Sequence, residues 1–357
     1  MRLAGTGKKM VVIDPRDMPA LNPFDVGGAD LNDVQTLTGV ISLYEYFFGS
    51  LLGSELTAKQ GVLFRYLAHL MLKIPGANLN TLIDIMNDAS PYLDVIQSLP
   101  QNARTFLQNE FLKGRTFDDT KSQIKYRLYD LIENPAFDRM FNARENKLDL
   151  KAAMDGGEVI LIHADTSYLG ERRASIFGRF FIAKALQAAL QRADQPESQR
   201  HPTYLYVDEA WMFFDTKIEE ILDQARKFKL GMILAHQRLS QATPELLSSL
   251  NTTAIKLVGN VSDSDARALA PNMQTLPENL HGLSNSKTSA EWALFDRAEK
   301  RTVKVDIPFF YMENRPQHID EYYRRFREAN KKALTGTGPE PPTKAANDEI
   351  ITDATEI

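Results

Sequence analysis

The sequence predicts an α/β fold in which a parallel sheet is interrupted by an all-helical block. Two short β-branched apolar runs, Met10–Ile13 and Val159–Ile162, have the length and composition of buried strands. Residues 30–150 between them show helical periodicity instead. From residue 159 to residue 270, further apolar runs alternate with amphipathic stretches. This alternation is typical of a parallel sheet that helices cover on both faces.

Composition supports a globular protein of about two domains. The chain has 357 residues, of which 43% are hydrophobic and 25% are charged. It has no cysteine, which excludes disulfides, thiolate nucleophiles and cysteine-bound zinc. The formal net charge of −5 is not that of a protein that coats nucleic acid by charge alone, although it is compatible with a local basic channel. No apolar run is long enough to cross a bilayer, so we expect a soluble chain.

The helical block begins at about residue 30 and ends at Gly156-Gly157. Apolar residues recur at helical spacing from Leu63 to Ile74 and again from Ile124 to Ile132. The sequence therefore predicts three parts: residues 1–29 and 151–330 form the sheet domain, residues 30–150 form an inserted all-α domain, and residues 331–357 form a disordered tail.

The second half of the chain contains the remaining strands. Three strands are predicted at Tyr204–Asp208, Gly231–Ala235 and Ala254–Gly259, and a hairpin with strands Trp292–Phe295 and Thr302–Val305 follows them. Helices are predicted at Ile176–Arg192, Ile218–Lys229, Leu246–Leu250 and Asp263–Ala270.

Two adjacent carboxylates follow the strand that begins at Tyr204. Asp208 and Glu209 come directly after four apolar residues, so the strand delivers both to its carboxyl end. Ligands bind at that edge in open α/β sheets. In nucleotide hydrolases such an aspartate holds Mg²⁺ and the neighbouring glutamate polarises water. The alternative is that Asp208 only caps a helix.

Polar residues also flank the next strand. Gln237 follows its carboxyl end and could sense a γ-phosphate or orient water; alternatively, it is a loop residue held by the backbone. Arg226 precedes the strand, where a basic residue near a helix C-terminus is also explained by the helix dipole.

In combination, these residues resemble a known family. The match consists of Asp14-Pro15 after a strand, the helical insertion, the Tyr204–Glu209 strand, and then Arg226 and His236-Gln237 at their spacing. It is similar to the HerA/FtsK group of RecA-like motor ATPases, and most of all to the conjugative coupling proteins of type IV secretion (TraD/TraG/TrwB type). The resemblance covers about residues 10–310. It implies a RecA-like domain of the P-loop NTPase type with an inserted all-α domain.

The resemblance also implies roles for individual residues. Asp208 corresponds to the Walker B acid that binds Mg²⁺ through water, and Glu209 to the catalytic glutamate. Gln237 corresponds to the polar residue of the third motif, and Arg226 to an arginine finger offered to a neighbouring subunit. Asp14 is assigned to the cofactor-binding edge. The implied cofactors are ATP and Mg²⁺. The implied partners are DNA, most often single-stranded, a hexameric ring of identical subunits, and type IV secretion or relaxosome proteins.

The chain departs from the family at the phosphate-binding loop. A P-loop requires Gly-x-x-x-x-Gly-Lys-Ser/Thr, whose backbone N–H groups hold the phosphates. The only Gly-Lys pair is Gly7-Lys8, with Arg2 at the position of the first glycine and Lys9 at that of the hydroxyl residue. We therefore expect this chain to lack a P-loop, either as a truncated product or as a shorter relative that does not bind ATP in the usual way.

Three functions follow as hypotheses. The first is the motor region of a DNA-translocating ATPase of the coupling-protein kind that lacks its P-loop segment, in the cytoplasm or peripherally at the bacterial inner membrane. The second is a non-catalytic RecA-like module that binds partners or DNA, or that donates Arg226 to intact subunits. The third is a type IV secretion ATPase that exports protein.

Other side chains near these motifs are assigned structural roles. Trp211, Phe213 and Phe214 follow Glu209 and could stack on bases, but the sequence favours a hydrophobic anchor for the helix after the strand. His163 and Asp165 follow the second strand, where a capping or hydrogen-bonding role is favoured over a catalytic one.

Overall fold

The computed structural model describes residues 9–52, 56–193, 195–213, 226–237, 239, 244–310 and 320–335. Its strands are β1 (Met10–Ile13), β2 (Val159–Ile162), β3 (Thr203–Val207), β4 (Leu230–Leu234), β5 (Ile255–Val258), β6 (Ser289–Asp296) and β7 (Arg301–Pro308). Its helices are α1 (Val34–Leu52), α2 (Ala58–Met71), α3 (Leu79–Asn87), α4 (Leu93–Gln97), α5 (Gln101–Phe106), α6 (Asp118–Ile132), α7 (Pro135–Phe141), α8 (Leu150–Asp155), α9 (Thr166–Leu169), α10 (Glu171–Leu190), α11 (Pro244–Asn251), α12 (Asp263–Leu269) and α13 (Asp320–Leu334). Within these ranges, no helix combines the length and apolar character needed to cross a membrane.

The helical block is inserted between two strands that pair with each other. β1 and β2 are parallel, with Met10 opposite Val159 and Ile13 opposite Ile162. The ladder continues past β2, where the His163 N–H donates to the Ile13 carbonyl at 2.9 Å. The described residues between 30 and 150 contain helices and no strand, which confirms the prediction of an all-helical insertion.

Helix caps and aromatic packing explain why this block folds as helices. The Thr57 side chain accepts from the Gln60 N–H while Gln60 reaches back to Thr57, a capping box that begins α2. Inside the block, the rings of Phe48 and Phe64 stack with centroids 4.7 Å apart. One continuous hydrophobic core joins the block to β1 and to the first half of α10.

Helix α10 connects the helical block to the sheet. Phe177 and Phe181 belong to the core of the block, whereas Ile182 and Leu186 pack in a second core with Val207 of β3 and with β4. The helix begins at Glu171, five residues earlier than the sequence predicted, directly after Gly170 with its positive φ of 77°. Apolar residues lie on several sides of α10 because the helix is buried between the helical block and the β3–β4 strands.

The parallel strands form two separate pairs among the described residues. β3 and β4 are parallel, with Thr203 opposite Leu230 and Val207 opposite Leu234. The described residues show no ladder that joins this pair to β1 and β2. Since β3 and β4 are adjacent and parallel, their carboxyl ends meet at one edge, as the sequence predicted.

Among the described residues, helix packing is seen on one face of these strands, and most of the helix predicted at 218–229 lies outside the described residues. One face packs against α10, but Leu161, Tyr204, Tyr206 and Ile233 on the strands are exposed by 51%, 63%, 74% and 39%. The Tyr204 ring lies close over Gly231 of the neighbouring strand. A Cβ added at Gly231 would be 3.0 Å from Tyr204 Cδ1. Part of the apolar sheet surface is therefore open to solvent.

The third sheet corrects the prediction for the fifth strand. β5 pairs antiparallel with β6, with Ile255 opposite Asp296, instead of joining a parallel sheet. β6 and β7 form the predicted hairpin, and Lys300 in its turn has a positive φ of 51°. A small core of its own lies between this sheet and α12.

The sequence missed helix α13, which lies against β1. Asn330 accepts from the Val12 N–H at 3.0 Å and donates to the Val12 carbonyl at 2.6 Å, so its amide replaces a neighbouring strand. Leu334 is buried, and its carbonyl accepts from the Ala20 N–H at 2.8 Å. Residues 331–334, predicted as the start of a disordered tail, are therefore helical. Residues 336–357 lie outside the described residues.

Candidate functional site at the carboxyl ends of β3 and β4

The chain turns sharply where β3 ends. Asp208 is exposed, and its Oδ1 accepts from the N–H of Glu209 at 2.9 Å. Glu209 has a φ of +47°, a left-handed conformation that costs a residue with a Cβ about 1–2 kcal/mol. The next residue, Ala210, donates its N–H to the Ala235 carbonyl at 2.8 Å, so the turn stays attached to the end of β4.

The carboxylate of Glu209 lies between two hydrogen-bond donors. Gln237 Nε2 donates to Glu209 Oε1 at 2.6 Å. Trp211 Nε1 donates to the other oxygen, Oε2, at 2.9 Å. The structure thus joins Glu209 and Gln237, which the sequence had placed at the same edge.

The segment after Glu209 is anchored to α10. Phe213 is buried, and its ring lies so close to Gly178 that a Cβ there would be 2.2 Å from Phe213 Cε1. Ser175 Oγ also donates to the Met212 carbonyl at 2.8 Å. The predicted hydrophobic anchor is therefore Phe213, whereas Trp211 binds the glutamate. Sequence reasoning missed that contact because it depends on the positive φ of Glu209, which no pattern indicated.

Asp14 lies at the end of β1 within a network of charges. Its carboxylate accepts from the Arg16 N–H at 3.0 Å and from Arg327 Nη2 of α13 at 3.0 Å. Arg327 also pairs with Asp17 at 2.7 Å. The side chain of Asp14 is nearly buried by these partners. Its assignment to a cofactor-binding edge stays a prediction.

Asp165, at the end of β2, caps a helix as the sequence favoured. Its Oδ1 accepts from the N–H groups of Ser167 and Tyr168 at 2.8 and 3.2 Å, and Arg16 pairs with its other oxygen. Burial alone would raise the pKa of Asp165, but these donors hold it below its usual range.

Arg226 lies at the opposite end of the β3–β4 pair from Glu209. It begins a short 3₁₀ turn, Arg226–Phe228, that leads into β4. The Lys227 carbonyl accepts from Arg200 Nη1 at 2.6 Å, and the Lys229 carbonyl accepts from the Thr203 N–H at 2.9 Å. The five-residue strand β4, roughly 17 Å long, lies between this turn and Gln237. The rest of the helix predicted at 218–229 lies outside the described residues.

A fully buried arginine also holds this turn. Arg192, at 0% exposure, donates to the Phe228 carbonyl at 3.3 Å and to the His201 carbonyl at 3.0 Å. Its Nε donates to Asp155 Oδ1 at 2.8 Å. Burial would raise the pKa of Asp155, but Lys151 and Arg192 hold it below its usual range. The sequence indicated only the end of a helix at this position.

Together these features define an α/β fold with parallel strand pairs, an inserted helical block, and a glutamate–glutamine contact at the carboxyl ends of β3 and β4. Solved structures share this fold. The bacterial conjugative coupling protein TrwBdeltaN70 in its unbound monoclinic form matches with a TM-score of 0.50 at 13% identity, over 84% of this chain and 78% of that one. Its trigonal form in complex with sulphate matches with a TM-score of 0.52 at 13% identity, over 84% and 79%.

VirB4 of Thermoanaerobacter pseudethanolicus matches with a TM-score of 0.53 at 13% identity, over 89% of this chain and 84% of that one. These matches confirm the predicted fold and the structural resemblance to conjugative coupling proteins. At this identity they establish the fold alone. No protein-family model matches the chain, and no curated protein matches it.

Proposed function

We propose that this chain is the motor region of a DNA-translocating ATPase of the type IV secretion, conjugative coupling-protein kind, without a P-loop of its own. The observation that carries the proposal is the 2.6 Å hydrogen bond between Gln237 and Glu209 across the ends of two adjacent parallel strands. ATP hydrolysis needs a base and a polar residue that orients the attacking water. A glutamate bonded to a glutamine at this edge of the sheet can supply both. The shared fold is consistent with this function.

In this proposal Glu209 accepts a proton from the attacking water and Gln237 helps to orient that water. Asp208 is exposed, and its Oδ1 accepts the hydrogen bond from the Glu209 N–H. Its second carboxylate oxygen takes no part in that turn, so Asp208 fits a Mg²⁺ held through water. Among the described residues, no group of three or more acidic or histidine side chains could hold a metal ion by itself. Mg²⁺ beside nucleotide phosphates commonly needs only one or two carboxylates. When bound, Mg²⁺ neutralises charge on the phosphates.

Arg226 is proposed to act on a neighbouring subunit. Because the β3–β4 pair separates its turn from Glu209, it is poorly placed to serve the site of its own chain. An arginine finger supplied between subunits implies a ring, for which we propose a hexamer. Asp14 is proposed to border the nucleotide, with Arg327 as its present partner.

The proposed partners and location follow from the same resemblance. DNA, most often single-stranded, is the proposed cargo, and proteins of the secretion system or relaxosome are the proposed partners. The proposed location is the cytoplasm, with peripheral attachment to the bacterial inner membrane. Export of protein instead of DNA is the alternative cargo, and the salt dependence of DNA affinity would separate the two.

A second candidate function is a non-catalytic RecA-like module. The sequence favours it in one respect, since Gly7-Lys8 does not form the P-loop pattern. Such a module would join a ring of intact subunits and donate Arg226. Adding the chain to a P-loop-containing paralogue should then change the ATPase rate of that paralogue.

The deciding experiment measures Mg²⁺-dependent binding and hydrolysis of ATP by this chain. The motor proposal requires that this chain hold the phosphates at a site other than a P-loop, so it expects micromolar binding of a fluorescent ATP analogue that Asp208→Ala abolishes, and hydrolysis that Glu209→Gln abolishes. Glu299→Gln, in the exposed hairpin turn, is the matched control and should hydrolyse ATP at the parental rate. Absence of binding would overturn the motor proposal for this chain and favour the non-catalytic module.

A further inference from the structure

The indole of Trp211 is the second donor on the proposed catalytic glutamate. Its Nε1–H lies 2.9 Å from Glu209 Oε2, while Gln237 occupies Oε1 at 2.6 Å. Donors on both oxygens fix the plane of a carboxylate, which a single donor would leave free to rotate. A carboxylate has about four lone-pair sites, so two donors leave room for a water to bind.

The indole can hold Glu209 because its own backbone is held in place. Trp211 lies in the 3₁₀ turn Ala210–Phe213, between the buried side chains of Ala210 and Phe213. Ala210 is bonded to the end of β4, and Met212 is bonded to Ser175 of α10. Trp211 therefore belongs to a turn fixed to two different elements, whereas Gln237 is an exposed residue at a strand end.

Tryptophan suits this task because of its hydrogen-bonding chemistry. The indole N–H is a donor only, so it can bind the carboxylate and never competes with it for a proton. Its rigid ring fixes the position of that donor, and Trp211 is only partly buried, so the contact lies at the open side of the site.

We propose that Trp211 is a positioning residue for the hydrolysis, holding the Glu209 carboxylate in the orientation in which it meets the attacking water. This inference rests on the proposed function of Glu209 as the base. The rival explanation is that Trp211 only stabilises the turn. In that case the environment of the indole N–H would not depend on the charge of Glu209.

The first test observes the indole directly. The chain has two tryptophans, so Trp292→Phe leaves Trp211 as the only indole N–H signal in a ¹H–¹⁵N spectrum of the folded chain. In that background Glu209→Gln, which replaces a charged acceptor with a neutral one, should shift the signal. Glu299→Gln should leave it in place. An indole signal that Glu209→Gln does not move would overturn the proposal.

The second test measures the kinetics of hydrolysis. Trp211→Phe keeps the ring and removes the donor, so kcat should fall roughly tenfold to a hundredfold while KM stays unchanged, because a misplaced catalytic group affects the chemical step. Trp211→His restores a ring N–H and should recover part of kcat. A Trp211→Phe protein with the parental kcat would overturn the proposal.

The two tests fail in different ways. A parent chain without ATPase activity would overturn the proposed function, whatever the indole does. An active parent whose indole is independent of Glu209 would leave the proposed function standing and overturn the role of Trp211.

Discussion

Gln237 donates a 2.6 Å hydrogen bond to Glu209 although 28 positions separate them along the chain. The contact forms because β3 and β4 are adjacent and parallel, with Val207 opposite Leu234, so each residue lies just beyond the end of its strand. The site is therefore a direct product of the sheet register, since a slip of one residue would turn alternate side chains to the other face.

Removal of the amide at this contact should impair hydrolysis without affecting folding. We expect Gln237→Met to lower kcat roughly tenfold or more, because the glutamate loses one of its two donors. Gln237 is exposed, so the free energy of unfolding should change by less than about 0.5 kcal/mol. Gln101→Met, at an exposed helix start, is the control for both assays. Unchanged hydrolysis would contradict a role for Gln237.

The strained backbone of Glu209 gives a second prediction. Its φ of +47° is unfavourable for any residue with a Cβ and acceptable for glycine. Glu209→Ala and Glu209→Gly both remove the carboxylate, so the difference between them isolates the backbone. We expect the glycine variant to be more stable than the alanine variant by about 1 kcal/mol in urea denaturation, with neither hydrolysing ATP. Equal stabilities would show that the turn relaxes.

The sequence could predict the strands that frame this site. The short β-branched runs of β1 and β2, and the apolar run of β3 that ends in Asp208-Glu209, carry their signal within a few residues. The pairing of β5 with β6 could not be predicted in the same way. It depends on a contact between distant segments, and a short apolar run does not specify its neighbours.

Two other features could not be predicted, because they depend on packing that a local sequence pattern does not indicate. Helix α13 has one narrow buried side, with Phe326, Asn330 and Leu334, within a mostly charged segment, so the composition indicated a polar tail. The bond from Trp211 to Glu209 requires a left-handed turn at a residue that is not glycine. Such strain becomes visible only in the fold and is frequent at functional sites.

The contact between Gly178 and Phe213 predicts an unusual cost for adding a methyl group. Gly178→Ala would place a Cβ 2.2 Å from the buried Phe213 ring, so we expect destabilisation of about 1–3 kcal/mol from overpacking. Gly61→Ala, in α2 with open space around the new Cβ, should instead stabilise by up to about 1 kcal/mol. Thermal denaturation of both variants tests the pair. A neutral Gly178→Ala would mean that Phe213 moves aside.

The amide of Asn330 supports a prediction for the docking of α13. Asn330→Leu would leave the N–H and carbonyl of Val12 without their partner, at a cost of about 2–4 kcal/mol in the free energy of unfolding. Lys331→Leu, an exposed neighbour on the same helix, should be nearly neutral. Urea denaturation of the two variants separates the lost hydrogen bonds from any effect of a new leucine. Equal effects would contradict the strand-like role of Asn330.

A partly buried lysine, Lys184, should make the stability of the chain rise with pH. Desolvation where α10 faces α1 lowers the pKa of Lys184 from 10.5 to about 8, against the opposing effect of Asp25 and Asp149, and its Nζ donates to Gln187 Oε1 at 2.7 Å. Between these two pKa values the unfolded chain binds more protons than the folded one, so the free energy of unfolding increases with pH.

Lys184→Met removes this titration and provides the comparison. Between pH 7 and pH 9.5 the unfolding free energy of the parent should rise by about 2 kcal/mol relative to that of Lys184→Met. Lys331→Met, at an exposed position, should follow the parent at every pH. Parallel curves for the parent and Lys184→Met would show that the ammonium group of Lys184 stays hydrated in the folded chain.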